Sequence, residues 1–283
     1  ESIAVIPHLM RKGVCSRCGF IEDGFAYKYG KWGWYQDQQL QTSVTDLVKG
    51  TIESETASYY VEKGILMPDR GWVLLSKYYY YIGKDAIPLT GWQKIGNYYY
   101  YLDPASGQMQ EGWLNLNGKY YYLKPGGSGK MLTGWQKIDG SYYYFRPGNS
   151  GLMQTGWLKY NDNWYYLNPS SGIMEESWTQ INGCFYYFMP NGSGKMLTGW
   201  QKLDGSWYYL AKNGKMQTGW LYYKDSWYYL NGSGKMQTGW QKVKTKWYYF
   251  NASGSMQTGS QEINGKTYQF DDNGVWQPSV SGI

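Results

Sequence analysis

Over most of its length the chain alternates two short apolar stretches with two kinds of polar break. "GWQKLDGSWYYLAKNGKMQT" (199–218) is followed at once by "GWLYYKDSWYYLNGSGKMQT" (219–238). In each, five residues opening on Gly-Trp precede a polar pair, five residues rich in rings follow it, and a polar link holding one methionine ends the unit. Two-residue breaks of the Asp-Gly or Asn-Gly type favour the type I′ turn, so each unit predicts a β-hairpin whose turn fixes its register. Such breaks stand at Gly96-Asn97, Asn117-Gly118, Asp139-Gly140, Asn161-Asp162, Asn182-Gly183, Asp204-Gly205 and Asn264-Gly265, with weaker ones at Lys224-Asp225 and Lys244-Thr245. Counting back from Asp204-Gly205 pairs Leu203 with Ser206, Lys202 with Trp207, Gln201 with Tyr208 and Trp200 with Tyr209. Pleating then puts Trp200, Trp207 and Tyr209 on one face and Leu203, Tyr208 and Leu210 on the other. The tyrosine before Leu or Phe, such as Tyr209, is expected in the core.

The units form columns. Trp72, Trp92, Trp113, Trp135, Trp157, Trp178, Trp200, Trp220 and Trp240 recur every 20 to 22 residues, and Ser260 continues the column. Met109, Met131, Met153, Met174, Met196, Met216, Met236 and Met256 each stand four residues before a column member. A two-stranded hairpin with apolar residues on both faces is marginal alone, so neighbours must stack. The predicted fold is all-β, a solenoid of stacked β-hairpins in which each repeat touches mainly the next. The organisation expected is an N-terminal segment over 1–23, degenerate repeats over 24–90, regular repeats over 91–259, and a capping repeat with a tail over 260–283.

Composition agrees. The 283 residues include Tyr 33, Trp 16 and Phe 7, so the core must be built from rings, and Gly 38 supplies turns. A net charge of +6 favours an anionic partner, although the lysines are spread along the repeats. No apolar run is long enough to span a membrane, and no signal-peptide pattern opens at Glu1, as expected of a mature form or of a piece of a longer chain. Three cysteines cannot pair completely within one chain. Cys15 and Cys18 form a C-x-x-C that suits a small disulfide better than a metal, because only His8 and Cys184 remain as further Cys or His ligands. Cys184 stands where other repeats have serine or lysine and reads as a plain substitution. Neither cofactor nor metal is expected.

Units of the form GW, WYY, then G-x-M-x-T resemble the choline-binding repeats of surface proteins of pneumococci and related Gram-positive bacteria. The resemblance is strongest over 199–259 and good over 91–198; it fades over 24–71, where Phe25, Trp32, Leu40, Tyr59, Tyr60 and Met67 keep expected positions. It implies that choline lies between consecutive hairpins, caged by rings from both and closed by methionine. Carried over, the cages are Trp200, Trp207, Tyr228 and Met216; Trp220, Trp227, Tyr248 and Met236; and Trp240, Trp247, Tyr268 and Met256. Upstream they are Trp157, Trp164, Tyr186 and Met174; Trp178, Phe185, Tyr208 and Met196; Trp135, Tyr142, Tyr165 and Met153; and Trp113, Tyr120, Tyr143 and Met131.

The resemblance also implies a secreted protein held at the cell wall by phosphocholine on teichoic and lipoteichoic acids, acting as an adhesin or as a modulator of wall hydrolases. A second cell-wall protein or a host protein is a further expected partner. The chemistry fits independently: a trimethylammonium group has no N–H donor, and ring faces attract it without an ion pair. Three other readings compete. The rings are only the glue of the solenoid; or they stack on sugars, as in the similar repeats of glucan-binding modules, which would require Asp, Asn or Gln between them; or they stack on single-stranded nucleic acid, which would require lysines along one groove. Nucleic acid is not the expected partner. Catalysis is not expected either, because the repeats fill 24–276, the single histidine is His8, and Glu175-Glu176 lies in a link.

Overall fold

A computed structural model of the protein describes residues 10–15 and 21–278. Every regular element among them is a β-strand. The chain divides into two compact units, Glu1–Gln136 with Phe145–Met153, and Lys137–Tyr144 with Gln154–Ile283. His8 and Cys18 lie outside the described residues; Cys15 is buried on the short strand Val14–Cys15, which pairs with Met10–Arg11.

In the first unit, the stretch that reads as two degenerate repeats contributes six strands to one sheet. Their order is Gly24–Lys28, Lys31–Gln36, Ile65–Leu66, Glu55–Glu62 and Asp46–Ile52, with Gln39–Leu40 beside Lys31–Gln36. Its core is aromatic: Phe25 meets Tyr59 at 5.2 Å and Trp34 at 5.1 Å between ring centres. Regular hairpins follow, named here by their column residue. Those of Trp72 (Gly71–Leu75 with Tyr78–Ile82), Trp92 (Gly91–Ile95 with Tyr98–Leu102) and Trp113 (Gly112–Leu116 with Lys119–Leu123) complete the first unit's pairs. The strands Gly134–Ile138 and Ser141–Phe145 are divided between the units.

The second unit continues with the hairpins of Trp157 (Gly156–Tyr160 with Asn163–Leu167), Trp178 (Ser177–Ile181 with Cys184–Phe188) and Trp200 (Gly199–Leu203 with Ser206–Leu210). Those of Trp220 (Gly219–Tyr223 with Ser226–Leu230), Trp240 (Gly239–Val243 with Lys246–Phe250) and Ser260 (Gly259–Ile263 with Lys266–Phe270) follow, and Trp276–Gln277 adds a third strand to the last. The register around Asp204-Gly205 is the one its turn dictates, Trp200 opposite Tyr209 and Lys202 opposite Trp207. Asp204 (φ 48°) and Gly205 (φ 79°) are both left-handed, as a type I′ turn requires.

The core differs from the expectation at one column. Tyr209 is only half-buried and stands edge-on to Trp200 at 5.3 Å. The deep positions are its neighbours: Leu210 is fully buried, as are Leu167, Leu230, Phe188 and Phe250, and Tyr208 is 7% exposed. Alternation explains this, since Tyr208 and Leu210 share the face turned inward while Tyr209 lies on the other. Cys184 lies in this packing beside Ile181, Tyr186 and Phe188, where its thiol serves as a small apolar group.

Each link folds back on the hairpin it leaves. Met216 forms an antiparallel bridge with Leu210, and its N–H donates to the Phe185 carbonyl of the preceding hairpin at 2.8 Å. The glycine two residues before a methionine packs on the methionine of the previous link at Gly129, Gly151, Gly194, Gly214, Gly234 and Gly254, and on Pro88 at Gly107: a Cβ on Gly234 (φ 80°) would overlap the Met216 sulfur. The G-x-M motif is therefore a close-packed contact between successive links.

Candidate binding site between hairpins

The column tryptophan leaves the first strand of its hairpin and meets a tyrosine of the next hairpin, buried at Tyr186 and Tyr208 and half-buried at Tyr228, Tyr248 and Tyr268. Ring centres lie 5.1 Å apart for Trp157 and Tyr186, 4.9 Å for Trp178 and Tyr208, 5.0 Å for Trp200 and Tyr228, 4.8 Å for Trp220 and Tyr248, and 5.0 Å for Trp240 and Tyr268. The second ring of the same hairpin stands edge-on beside it, 6.1 Å away for Trp164, 6.5 Å for Trp207, 6.2 Å for Trp227 and 6.4 Å for Trp247. These tryptophans remain exposed, Trp227 at 43%. Steeply inclined rings that leave one indole open make a corner with several negative faces, the geometry that attracts a cation without hydrogen bonds.

The ring groupings read from the sequence thus come together in the second unit, but with a different methionine. The N–H of Met236 donates to the Trp207 carbonyl and that of Met256 to the Trp227 carbonyl, each at 2.8 Å. Trp220, Trp227 and Tyr248 line a hollow of about 330 Å³ together with Met256, not Met236, and with Asp272 and Asn273. By the same backbone tie Met236, not Met216, belongs with Trp200, Trp207 and Tyr228; Met216, not Met196, with Trp178, Phe185 and Tyr208; and Met196, not Met174, with Trp157, Trp164 and Tyr186. The reason is the direction of the link. It returns antiparallel to the strand it leaves, so its methionine reaches the hairpin before its own.

The offset takes Met256 away from Trp240, Trp247 and Tyr268. Trp276 takes its place: it pairs with Phe270 as each methionine pairs with its Leu or Phe, and lies 5.9 Å from Trp240 and 6.4 Å from Tyr268. That position falls twenty residues after Met256, a spacing visible in the sequence and hidden by the change of residue type.

In the first unit, Met153 N–H donates to the Tyr120 carbonyl beside Trp113, where Met131 was expected. Met131 instead reaches Tyr99, and Met109 reaches Tyr79. Two ring groups missed in the sequence follow, Trp72 with Tyr100 at 4.9 Å and Trp92 with Tyr121 at 5.0 Å. The signal was the same columns carried further upstream. In the second unit Met174, not Met153, is tied to Tyr142. Trp135 belongs to the first unit, and Tyr142, Tyr143 and Tyr165 to the second.

Electrostatically the sites are quiet. Burial pushes the Tyr165 and Tyr248 phenols above their ordinary value, with smaller contributions from Tyr160 and Asp271 respectively. Among the described residues no group of three or more His, Cys, Asp or Glu gathers as a metal site would require. No helix among them is long and apolar enough to cross a membrane.

Comparison with known proteins places this geometry in a family. The family described as choline-binding repeat matches residues 89–133, 132–175, 197–238 and 237–275, and a cell wall binding repeat matches 176–196. The chain belongs to the choline-binding repeat family. It is similar to CbpJ from Streptococcus pneumoniae TIGR4, at 29% identity and a TM-score of 0.66 over 89% of this chain and 99% of that one. It is also similar to choline binding protein F of Streptococcus pneumoniae, crystallised in the presence of a peptidoglycan analogue, at 30% identity and a TM-score of 0.63 over 90% and 98%. The modular autolysin LytC of Streptococcus pneumoniae matches at 27% identity and a TM-score of 0.52, over 78% of this chain and 51% of that one. A comparison with curated proteins found no match.

Proposed function

We propose that the chain binds choline in the hollows between its hairpins and so attaches to phosphocholine on the teichoic and lipoteichoic acids of a Gram-positive cell wall. The observation that carries this is the hollow of about 330 Å³ walled by Trp220, Trp227, Tyr248 and Met256. A trimethylammonium group is weakly hydrated and offers no N–H, so ring faces and a polarizable thioether suit it where an ion pair would add a desolvation cost. The Asp272 carboxylate at the edge adds a favourable charge. Each hollow supplies a few kcal/mol, roughly millimolar affinity, and several hollows on one polymer raise the apparent affinity by ~10² to 10⁴.

In this reading the protein is secreted, carries out no reaction of its own through these repeats, and works at the wall as an adhesin or as a modulator of hydrolases held by the same polymer. Its similarity to CbpJ and choline binding protein F over nearly their whole lengths supports an attachment role. Tryptophan fluorescence titrated separately with choline, a glucan oligomer and a short oligonucleotide tests it. Saturation at millimolar choline with no response to the other two is the expected result. Silence toward choline would remove the proposal, and a response to the glucan alone would replace it with sugar binding.

A further inference from the structure

The hollows are not all alike. Each lies near the link that follows the hairpin two places on, and the links differ in length. Leu210, Leu230 and Phe250 are bridged to methionines six positions later, whereas Leu123, Phe145 and Phe188 are bridged to methionines eight positions later. Where a short link arrives the second ring stays open: Trp164, Trp207 and Trp227 are 41–43% exposed. Where a long link arrives the second ring is a tyrosine and is half-covered, at Tyr79, Tyr99 and Tyr142.

Two of these covered positions carry a carboxylate. Glu111 follows Met109 by two residues and Glu176 follows Met174 by two, where the repeats over 199–258 have Thr218, Thr238 and Thr258. The Gly126 N–H donates to Glu111 Oε2 at 3.0 Å, and the Gly192 N–H donates to Glu176 Oε1 at 2.7 Å. The link is thereby latched over the ring. A Cβ on Gly192 would lie 2.9 Å from Tyr142, an approach only glycine makes, and one on Gly127 would lie in a tight contact 3.3 Å from Tyr79. Cavities of about 330 Å³ and 430 Å³ are lined by the tyrosine, the methionine, the glutamate and one lysine, Lys77 in the first and Lys137 in the second. The same arrangement is built twice, once in each unit.

We propose that these two latched cavities form a second class of site, which takes a small zwitterion bearing a primary ammonium and an anionic group. The latch uses one oxygen of each glutamate, which leaves the other to accept from an N–H donor. A trimethylammonium group has none to give; a primary ammonium has three, and also lies well against the tyrosine face. The lysine lining the same cavity meets the anionic group, from a position 5.3 Å from the Tyr78 ring centre for Lys77 Nζ and 5.3 Å from the Tyr142 ring centre for Lys137 Nζ. This assignment goes beyond choline attachment and stands on charges that the threonine-bearing repeats lack at the equivalent position.

Phosphoethanolamine and phosphocholine differ only in the three methyl groups, so the pair isolates the feature in question. The full chain and its E111Q/E176Q variant are titrated with each by calorimetry, and thermal melting confirms that the variant is folded. Glutamine keeps a carbonyl that accepts the link N–H, so the latch survives and only the charge is lost. Phosphoethanolamine is expected to bind the unaltered chain and to bind the variant about tenfold more weakly, with phosphocholine binding unchanged. No binding of phosphoethanolamine at concentrations that saturate phosphocholine, or equal affinity for both proteins, overturns the assignment. Binding of phosphoethanolamine that weakens in the variant while phosphocholine fails to bind counts against choline attachment and upholds this second class of site.

Discussion

The methionine that closes a hollow is chosen by the backbone. Because Met236 N–H is tied to the Trp207 carbonyl and Met216 N–H to the Phe185 carbonyl, the two thioethers serve different hollows. Met236→Ala is therefore expected to weaken choline binding at Trp200 and Trp207 by roughly tenfold at most, the worth of one sulfur–ring contact, while Met216→Ala leaves that hollow intact. The indole N–H resonance of Trp207 followed during a choline titration separates the two, and equal loss in both variants would refute the offset. The glycine before the methionine has its own test. Gly234→Ala places a methyl on the Met216 sulfur at a left-handed φ of 80° and is expected to cost about 1–3 kcal/mol, whereas nothing lies within 4 Å of a Cβ on Gly232. Melting curves of the two alanine variants should differ accordingly, with Gly232→Ala close to the unaltered protein.

At the scale of the hairpin, turn residues set the geometry and some do so at a cost. Lys224 (φ 45°) and Asp225 (φ 61°) adopt the left-handed pair that Asp204-Gly205 adopts, although neither is glycine. Asp225→Gly relieves one strained residue and loses only the exposed 3.3 Å hydrogen bond from Tyr222, so a gain of about 1 kcal/mol is expected in chemical denaturation. A less stable variant would show that this bond matters more than the strain. These turns also explain how much could be read in advance. The register that sets Trp200 opposite Tyr209 follows from a two-residue turn and a period of two, both local properties of the sequence, whereas the meeting of Trp200 with Tyr228 joins two hairpins and is expected only from the family resemblance. The direction of the link follows from neither. Its glycines and serines carry no periodicity, and the bond from Met236 to Trp207 joins residues 29 apart through backbone atoms every residue shares. Trp276 escaped because the chain changes residue type within a column. The stretch before Gly71 resisted because Asp46–Ile52 and Glu55–Glu62, seven and eight residues long, outgrow the five-residue strand of the repeats and pair in a wider sheet.

For the molecule as a whole, a row of fully buried leucines and phenylalanines is flanked by buried and half-buried tyrosines, and this ties stability to the ionisation of phenols. Tyr100, Tyr165 and Tyr248 all have pKa values raised chiefly by burial. A phenol whose folded pKa lies above its unfolded value of about 10 binds its proton more tightly in the fold, so its contribution is fully present below pH 10. As pH rises through 10 and beyond, the unfolded chain ionises first and that contribution is lost. Choline carries a fixed charge, and in the hollow around Trp220 burial pushes the Tyr248 phenol further above its ordinary value of about 10. Choline affinity is therefore expected to be flat between about pH 6 and 9, with the melting temperature falling only above about pH 10. Lysines titrate in the same alkaline range, so the melting curve alone does not identify the cause. Tyrosinate absorbance does, because buried phenols appear in it only as the fold opens. A titration in which every tyrosine ionised at one ordinary midpoint, with circular dichroism unchanged, would mean that the rings are solvated and do not form the core.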